Sequence, residues 1–278
     1  MPSTDVLPPI VATDTAHLKE CIHWAVTCHG PSVNLNHIDV SRITDMTELF
    51  SNSPFNGDIS QWDVSNVTRA NGMFFSSPFN GDISNWNTGK LGVAIGMFRL
   101  SQFNGDLSRW DTSSLYNARV MFAGCAFEGD ISQWDVSNLE NVERMFLGSK
   151  NKSDLSPWLL KKNCKLTWMT NENFQGILPR INGGAESLQY GRMFGQHTAL
   201  RAYLKTRPFS HVHATLLMGL KSKPEWASTQ TFKQVKSIQA MAKTLGVKGS
   251  GVHALVMNHF AGGAKAPESF FVDELTLD

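Results

Sequence analysis

The sequence predicts an α/β repeat solenoid, because one motif recurs at a fixed spacing, its apolar positions recur in register, and one copy is too short to fold alone. The phrase Phe-Asn-Gly-Asp begins at Phe55, Phe79 and Phe103, and it returns as Phe-Glu-Gly-Asp at Phe127, so the period is 24 residues. Degenerate units precede and follow these copies at 31–54 and 151–174. A period of roughly 20–50 residues is the mark of stacked repeat architectures.

Three apolar columns give the physical reason for stacking. One column holds Trp, a second holds Phe, and a third holds Ile or Leu. The members are Trp62, Trp86, Trp110, Trp134 and Trp158; Phe50, Phe74, Phe98, Phe122 and Phe146; and Ile59, Ile83, Leu107, Ile131 and Leu155. One unit cannot bury these side chains by itself, so neighbouring units must share a continuous core.

Local structure within a unit follows from the same alignment. Gly-Asp-Ile-Ser alternates around one apolar residue, which predicts a short strand paired in parallel with its copies. The side that contains Met and Phe, such as 119–125, predicts a short helix or tight turn. The asparagines Asn56, Asn80 and Asn104 predict a ladder that bonds the turns of adjacent units.

A column of aspartates also repeats. Its members are Asp58, Asp82, Asp106, Asp130 and Asp154. Asp side chains commonly accept backbone N–H bonds in turns, and this role is favoured here. Calcium binding is the alternative.

The run 55–67, Phe-Asn-Gly-Asp-Ile-Ser-Gln-Trp-Asp-Val-Ser-Asn-Val, resembles the repeat of the BspA-like leucine-rich-repeat surface proteins of bacteria. The segment 35–41, Leu-Asn-His-Ile-Asp-Val-Ser, with Thr-Asp-Met at 44–46, resembles that family's first unit. A helix at about 15–28 resembles its N-terminal cap. The resemblance covers roughly 15–160. It implies a leucine-rich-repeat-like array with an N-terminal helical cap, and a role in adhesion and protein–protein contact.

The chain divides into three predicted parts. A tail and capping helix occupy 1–30, six repeats occupy 31–174, and a basic, mostly helical C-terminal domain occupies 175–278. Residues 1–174 carry 13 Lys and Arg against 18 Asp and Glu, whereas 175–278 carry 12 against 6. Only the C-terminal part therefore has the charge to attract an anionic partner.

Columns that vary between units are the candidates for a binding surface, because the fold does not dictate them. They include Arg69, Arg99, Arg109, Tyr116, Arg119 and Arg144. Arg and Tyr are frequent anchors of protein interfaces. The leading hypothesis is a non-enzymatic module that recognises a protein partner through the repeat surface and needs no cofactor or metal.

Two alternatives concern the C-terminal part. The spacing of apolar residues in 238–257 resembles a DNA-binding helix-turn-helix, and Lys248, Ser250, His253 and Asn258 would then face nucleic acid. Gly249 and Gly251 weaken the presumed reading helix. The second alternative is a delivered effector with a cryptic enzymatic C-terminal domain. His213-Ala214-Thr215 resembles half of a two-histidine phosphoesterase motif, but the second half is missing.

The remaining predictions concern compartment and metals. The chain has no apolar run long enough to span a membrane and no secretory signal, so we expect a cytoplasmic protein, with export by another route left open. The four cysteines form no Cys-x-x-Cys pair, which predicts no disulfide framework. Around Cys21 and Cys28, a zinc site is the alternative to a helix with both thiols packed on one face.

Overall fold

A computed structural model describes residues 7–171, 174, 176–182 and 192–194. Its elements are β1 (Ile10–Val11), α1 (Thr15–His29), β2 (Ile38–Asp39), β3 (Leu159–Leu160) and β4 (Arg180–Ile181). β1 pairs in parallel with β2, and β3 pairs in parallel with β4. Between β2 and β3 the chain consists of turns and extended segments that isolated parallel bridges join.

α1 lies where the sequence predicts a capping helix. It begins after Asp14, whose carboxylate accepts the N–H of His17 at 2.9 Å, as an N-cap should. It ends at Gly30, whose φ of +86° suits glycine. The hydroxyl of Thr15 donates to the carbonyl of Asp45 at 2.6 Å, which ties the helix to the first repeat unit.

The buried side of α1 differs from the expected one. Leu18, Ile22 and Ala25 form the buried stripe, with the i, i+4, i+7 spacing of one helix face. Cys28 lies off this stripe and is exposed, whereas Cys21 is half-buried. The expectation that both thiols pack on one face is therefore wrong for Cys28.

A ladder of backbone hydrogen bonds joins successive units with a register of 24 residues. The bridges are Asp45 to Arg69, Arg69 to Val93, Val93 to Asn117, Asn117 to Asn141, and Asn141 to Lys165. In the second and third units, the N–H groups of residues 70, 72, 74 and 76 donate to the carbonyls of residues 93, 95, 97 and 99 at 2.8–2.9 Å. Each of these N–H groups donates to the next unit, whereas the N–H groups of residues 68 and 92 donate back to the carbonyls of residues 44 and 68 in the preceding unit.

The predicted strand at Gly-Asp-Ile-Ser is wrong, because residues 57–60 have no strand and the ladder lies on the other side of the unit. The cause is local. The carboxylate of Asp58 accepts the N–H of Ser60 at 2.9 Å, which bends the chain into a turn.

The core consists of three stacked aromatic columns. Rings of the predicted Phe column lie 5.5–5.9 Å apart between consecutive units. The Phe residues that open the motif form a second column, in which neighbouring rings are 5.9–6.3 Å apart. The Trp column adds ring separations of 6.4–6.5 Å from Trp86 to Trp158. Offset stacks with these separations are favourable aromatic contacts.

The predicted asparagine ladder is confirmed. The side-chain oxygen of Asn56 accepts the N–H of Asn80 at 2.8 Å, and that of Asn80 accepts the N–H of Asn104 at 2.7 Å. Asn104 in turn accepts from Glu128 at 2.7 Å. Glu128 ends the series and pairs instead with Lys152 at 2.9 Å.

Two columns of residues adopt the left-handed conformation, with φ between +51° and +71°. The first is Glu48, Gly72, Gly96, Val120, Arg144 and Trp168, and the second is Asn52, Ser76, Leu100, Gly124 and Gly148. Both columns recur every 24 residues within the ladder. Glycine takes this conformation without steric cost, whereas a β-branched residue such as Val120 is strained.

The array continues past the predicted boundary at 174. Asp154 bridges to Ile177, and β4 pairs with β3. Trp168 donates its N–H to Arg192 at 2.7 Å, and Thr170 donates to the next residue, Met193, at 3.0 Å. Residues 177, 180–182, 192 and 193 are therefore paired with or hydrogen-bonded to the last predicted unit.

Candidate binding surface

The outward side chains of the ladder form one continuous surface, named here the ladder face. It consists of the exposed and half-buried side chains of 68–76, 92–100, 116–124 and 140–148. Within each segment, residues such as Ala70, Met73 and Phe74 turn into the core. Residues between and beside them, such as Arg69 and Phe75, face outward. The backbone bonds of the ladder therefore hold a row of side chains at a fixed spacing.

Arg99 is anchored on this face by an aromatic ring. Its guanidinium carbon lies 5.4 Å from the centre of the Phe75 ring, in the preceding unit. The ring attracts the guanidinium electrostatically, and this cation–π contact restricts the position of the Arg99 side chain. Leu100 follows directly and is half exposed, at 50%. The two residues place a cation beside an apolar side chain on the middle units.

Tyr116 lies across the backbone of the preceding unit. A Cβ atom added to Gly92 would come within 2.8 Å of the Tyr116 ring, so only glycine leaves room for the ring. This contact explains why 79–102 departs from the repeat pattern at Gly92. The ring remains 44% exposed. It is a flat, partly fixed aromatic surface beside Arg119.

Arg119 and Arg144 also lie on the ladder face. The Nε of Arg119 is 3.9 Å from a carboxylate oxygen of Glu143, and both side chains are partly exposed, so the pair contributes little to stability. Arg144 is exposed and has a φ of +56°. Arg144 therefore adopts the left-handed conformation at a steric cost that glycine would not have.

Arg109 lies on a different segment of the unit. It follows Ser108, whose N–H donates to the carboxylate of Asp106 at 2.8 Å in the first turn after the motif. Tyr116 and Arg119 lie in the ladder segment instead. The structure therefore brings five of the six candidate residues to the ladder face and separates Arg109 from them.

Charge is unevenly distributed along the ladder face. The middle segments 68–76, 92–100 and 116–124 contain Arg69, Arg99 and Arg119 and no Asp or Glu. Acidic residues flank this region on both sides, as Glu48 in the first unit and Glu140 in the fifth. The centre of the face is therefore basic although residues 1–174 carry a net negative charge.

Sequence reasoning missed other outward residues of this face. Leu100 and Val120 occupy the two left-handed columns, in which other units have glycine. Their signal in the sequence is a column that alternates between glycine and large side chains. This signal differs from the Arg and Tyr residues of the variable columns, which predicted the other candidates.

The aspartate column forms turns on another part of the unit. In every copy the carboxylate accepts the N–H of the residue two positions on, as Asp106 does from Ser108. The backbone N–H and the hydroxyl of Ser84 hold the pKa of Asp82 below its ordinary value, although Asp106 and Asp58 oppose this. Within the described part of the chain, no three His, Cys, Asp or Glu side chains are grouped so as to hold a metal ion.

All four cysteines lie among the described residues and are free thiols. Burial raises the pKa of Cys125, and it raises the pKa of Cys164 to about 12. Both thiols therefore stay protonated near pH 7. A protonated thiol is a poor nucleophile and a poor metal ligand, because both roles need the thiolate.

The alternative site residues Lys248, Ser250, His253 and Asn258 lie outside the described residues, as do His213 and the predicted helices after 194. Across 7–171 and the shorter described stretches, no helix is long and apolar enough to cross a bilayer.

Comparison with known proteins gives one family. The model of the family described as "Mycoplasma protein of unknown function, DUF285" matches residues 24–126 and again 96–177. The two matches together span 24–177, which is more than half of the 278 residues. This agrees with the resemblance to BspA-like repeat proteins. No curated protein and no solved structure matches the chain. The chain therefore belongs to the DUF285 family, and its repeat array carries that membership.

Proposed function

We propose that this chain is a non-enzymatic recognition protein, built as a leucine-rich-repeat-like α/β solenoid, which binds a protein partner through the ladder face. The family match supports a repeat-type surface or recognition protein. The finer proposal depends on the ladder face itself, where Arg69, Arg99 and Arg119 share the middle segments with the exposed side chains of Leu100 and Tyr116.

The observation that carries the proposal is the left-handed column of the ladder. Glycine at 72 and 96 is sufficient for the fold, yet Val120 and Arg144 occupy equivalent positions at a steric cost. Strained residues are commonly retained where the side chain serves function. Val120 lies in the same segment as Tyr116, and Arg144 lies in the next segment of the same face, so recognition by this face is the role that fits them.

The experiment is affinity capture with the full chain from the native cell, followed by quantitative mass spectrometry. The test variant is Arg69→Ala/Arg99→Ala/Arg119→Ala. The control variant removes three cations outside the ladder face, as Lys90→Ala/Arg109→Ala/Lys152→Ala. Both change the net charge equally, so a non-specific electrostatic effect would affect them alike.

A partner captured by the wild type and the control variant but lost from the test variant supports the proposal. Typical interface anchors cost about 2 kcal/mol or more when truncated, which is over tenfold in affinity. Full retention of the partner by the test variant, with loss from the control variant, would overturn it.

A further inference from the structure

Three arginines give the middle of the ladder face its charge. Arg69 and Arg99 are exposed, and neither forms an ion pair within the described part of the chain. The Nε of Arg119 is 3.9 Å from a carboxylate oxygen of Glu143. That pair is partly exposed, and exposed pairs are weak, so the guanidinium of Arg119 is still available to a second carboxylate. The middle of the face therefore favours an acidic ligand.

Exposed apolar side chains lie on the same segments as these cations. The Leu100 side chain is 50% exposed, and the Tyr116 ring is 44% exposed. Phe75 is half-buried, with the guanidinium carbon of Arg99 5.4 Å from its ring centre. A ligand that fits this surface therefore combines carboxylates with apolar side chains.

The chain itself contains a segment of that composition at 268–278, which lies outside the described residues. It reads Glu-Ser-Phe-Phe-Val-Asp-Glu-Leu-Thr-Leu-Asp. It has four acidic side chains and no Lys or Arg, although 175–278 as a whole has 12 Lys and Arg against 6 Asp and Glu. Phe, Val and Leu occupy five of its other positions. The segment is thus acidic and apolar where the ladder face is basic and apolar.

The segment is also long enough to reach both ends of a ladder segment. Extended chain advances about 3.3 Å per residue, so 11 residues reach at most about 35 Å, whereas the nine residues from Gly92 to Leu100 cover at most about 30 Å. One bound segment can therefore contact Leu100 at one end of the face and Tyr116 at the other.

Apolar contacts provide the stability of such a complex, and charge determines where it forms. Burying a Leu or Phe side chain is worth about 1.5–3 kcal/mol, whereas an exposed ion pair is worth about 0–1 kcal/mol. Asp45 and Glu48 on one side, and Glu140 on the other, repel a carboxylate placed beyond the middle units. Because the segment belongs to the same chain, its effective concentration is high, so even a weak affinity can populate the docked state.

We propose that residues 268–278 dock on the middle of the ladder face of their own chain and compete there with the protein partner. Their carboxylates pair with Arg69, Arg99 and Arg119, and their apolar side chains cover Leu100 and Tyr116. The competition rests on the proposed function, because it requires that the partner uses the same face. A partner then gains access only by displacing the segment.

Photocrosslinking of the purified full chain tests the docking. A benzophenone amino acid replaces Leu100 on the ladder face or, as the control position, Arg109 in the turn after Asp106. Trypsin releases 266–278 as one peptide, because Lys265 is the last Lys or Arg of the sequence. An equal mixture of isotope-labelled and unlabelled chains distinguishes crosslinks within a chain from those between chains. We expect 266–278 to be crosslinked to position 100 of the same chain and not to position 109.

A pair of charge variants tests the role of the carboxylates. The test variant is Asp273→Asn/Glu274→Gln, and Glu186→Gln/Glu225→Gln is the charge-matched control outside the segment. Crosslinking from position 100 should fall at least about fivefold in the test variant and stay unchanged in the control, since removing two carboxylates weakens the pairing with the arginines. The test variant should also capture more partner than the wild type. The comparison of positions 100 and 109 uses neither variant, so it remains valid if one of them folds poorly.

Several results would overturn the proposal. The docking is excluded by the absence of a crosslink from position 100 to 266–278, by equal yields from positions 100 and 109, or by crosslinks only between chains. Unchanged partner capture by a test variant that has lost the crosslink would exclude the competition. The proposed function fails separately. If Arg69→Ala/Arg99→Ala/Arg119→Ala retains the partner while the wild type forms the crosslink, the face docks its own segment but does not bind the partner.

Discussion

The indole N–H of Trp110 donates a 3.0 Å hydrogen bond to the carbonyl oxygen of Ile83, which lies 27 residues earlier in the preceding unit. The same bond recurs from Trp62, Trp86, Trp134 and Trp158, each to the residue 27 positions before it. The Trp column thus combines ring stacking with a hydrogen bond to a carbonyl of the preceding unit, and neither Phe nor Leu could do both.

Replacing Trp110 should therefore have two separable costs. Trp110→Phe keeps an aromatic ring but removes the indole bond to the Ile83 carbonyl, which then accepts only the N–H of Trp86 at 3.3 Å, so it should cost about 0.5–1.5 kcal/mol of unfolding free energy. Trp110→Ala should cost about 3–5 kcal/mol, because it also leaves a cavity. Denaturant unfolding measures both. Trp24→Ala is the control, since Trp24 is 47% exposed and its loss should cost less. Equal losses at Trp24 and Trp110 would contradict a shared Trp core.

The left-handed column predicts opposite effects for reciprocal substitutions. Gly96→Val should lower the unfolding free energy by about 1–2 kcal/mol, because a β-branched residue disfavours a φ of +60°. The added Cβ itself has room, since it meets no atom closer than 3.5 Å. Val120→Gly should leave stability unchanged or raise it by up to about 1 kcal/mol. A substantial loss of stability in Val120→Gly would mean that Val120 serves packing and not recognition.

The asparagine ladder predicts a modest contribution from each rung. Asn80→Ala removes the acceptor of the 2.7 Å bond from the Asn104 N–H, and it should cost about 1 kcal/mol. Asn85→Ala is the matched control, because Asn85 is exposed and lies in the same unit. The midpoint of urea unfolding distinguishes the two. If Asn85→Ala costs as much as Asn80→Ala, the rungs do not contribute specifically.

The aspartate turns predict a loss of stability in acid. The folded-state pKa of Asp106 lies below its ordinary value because the backbone N–H and hydroxyl of Ser108 stabilise the carboxylate. Its stabilisation is therefore present above the unfolded pKa of 3.8, and it is lost as the pH falls through the lower folded pKa. Asp82 behaves likewise.

Asp82→Asn/Asp106→Asn should reduce this acid sensitivity. Asn accepts the same turn bond without titrating, as Asn87 does from the N–H of Gly89 at 3.3 Å. Thermal unfolding followed from about pH 5 down to about pH 2 should show a shallower decline in the variant than in the wild type. Parallel declines would show that these turns do not contribute to the pH dependence.

The periodicity predicted the core more fully than the backbone. It identified the Trp and Phe columns and the asparagine rungs, because those side chains recur at 24 residues and bond to their own copies. It misplaced the ladder, since the turn closed by Asp58 and Ser60 competes with strand pairing and outweighs local alternation. It did not predict the pairing of 177 and 180–181 with the last predicted unit. Phe174 lies one residue before the position 175 that the 24-residue period gives. This break in the period obscured the pair Met193-Phe194, which is in phase with the Met and Phe residues of the earlier units.

The site was predictable in part. Column variation identified Arg99 and Tyr116, which the structure brings to one face. The separation of Arg109 from Tyr116 could not be predicted from their spacing of seven positions, because the chain changes direction at each turn of the repeat unit. The contact of the Tyr116 ring with Gly92 was equally hidden, since it joins residues 24 apart.

Site-specific photocrosslinking tests partner binding by the ladder face most directly. A benzophenone amino acid replaces Tyr116 on the ladder face or Arg109 in the turn after Asp106, and the full chain is irradiated in its native cell. The account predicts a discrete crosslinked partner from position 116, lost when Arg99 and Arg119 are also changed to Ala, and none from position 109. The same partner crosslinked from 109 but not from 116 would contradict it.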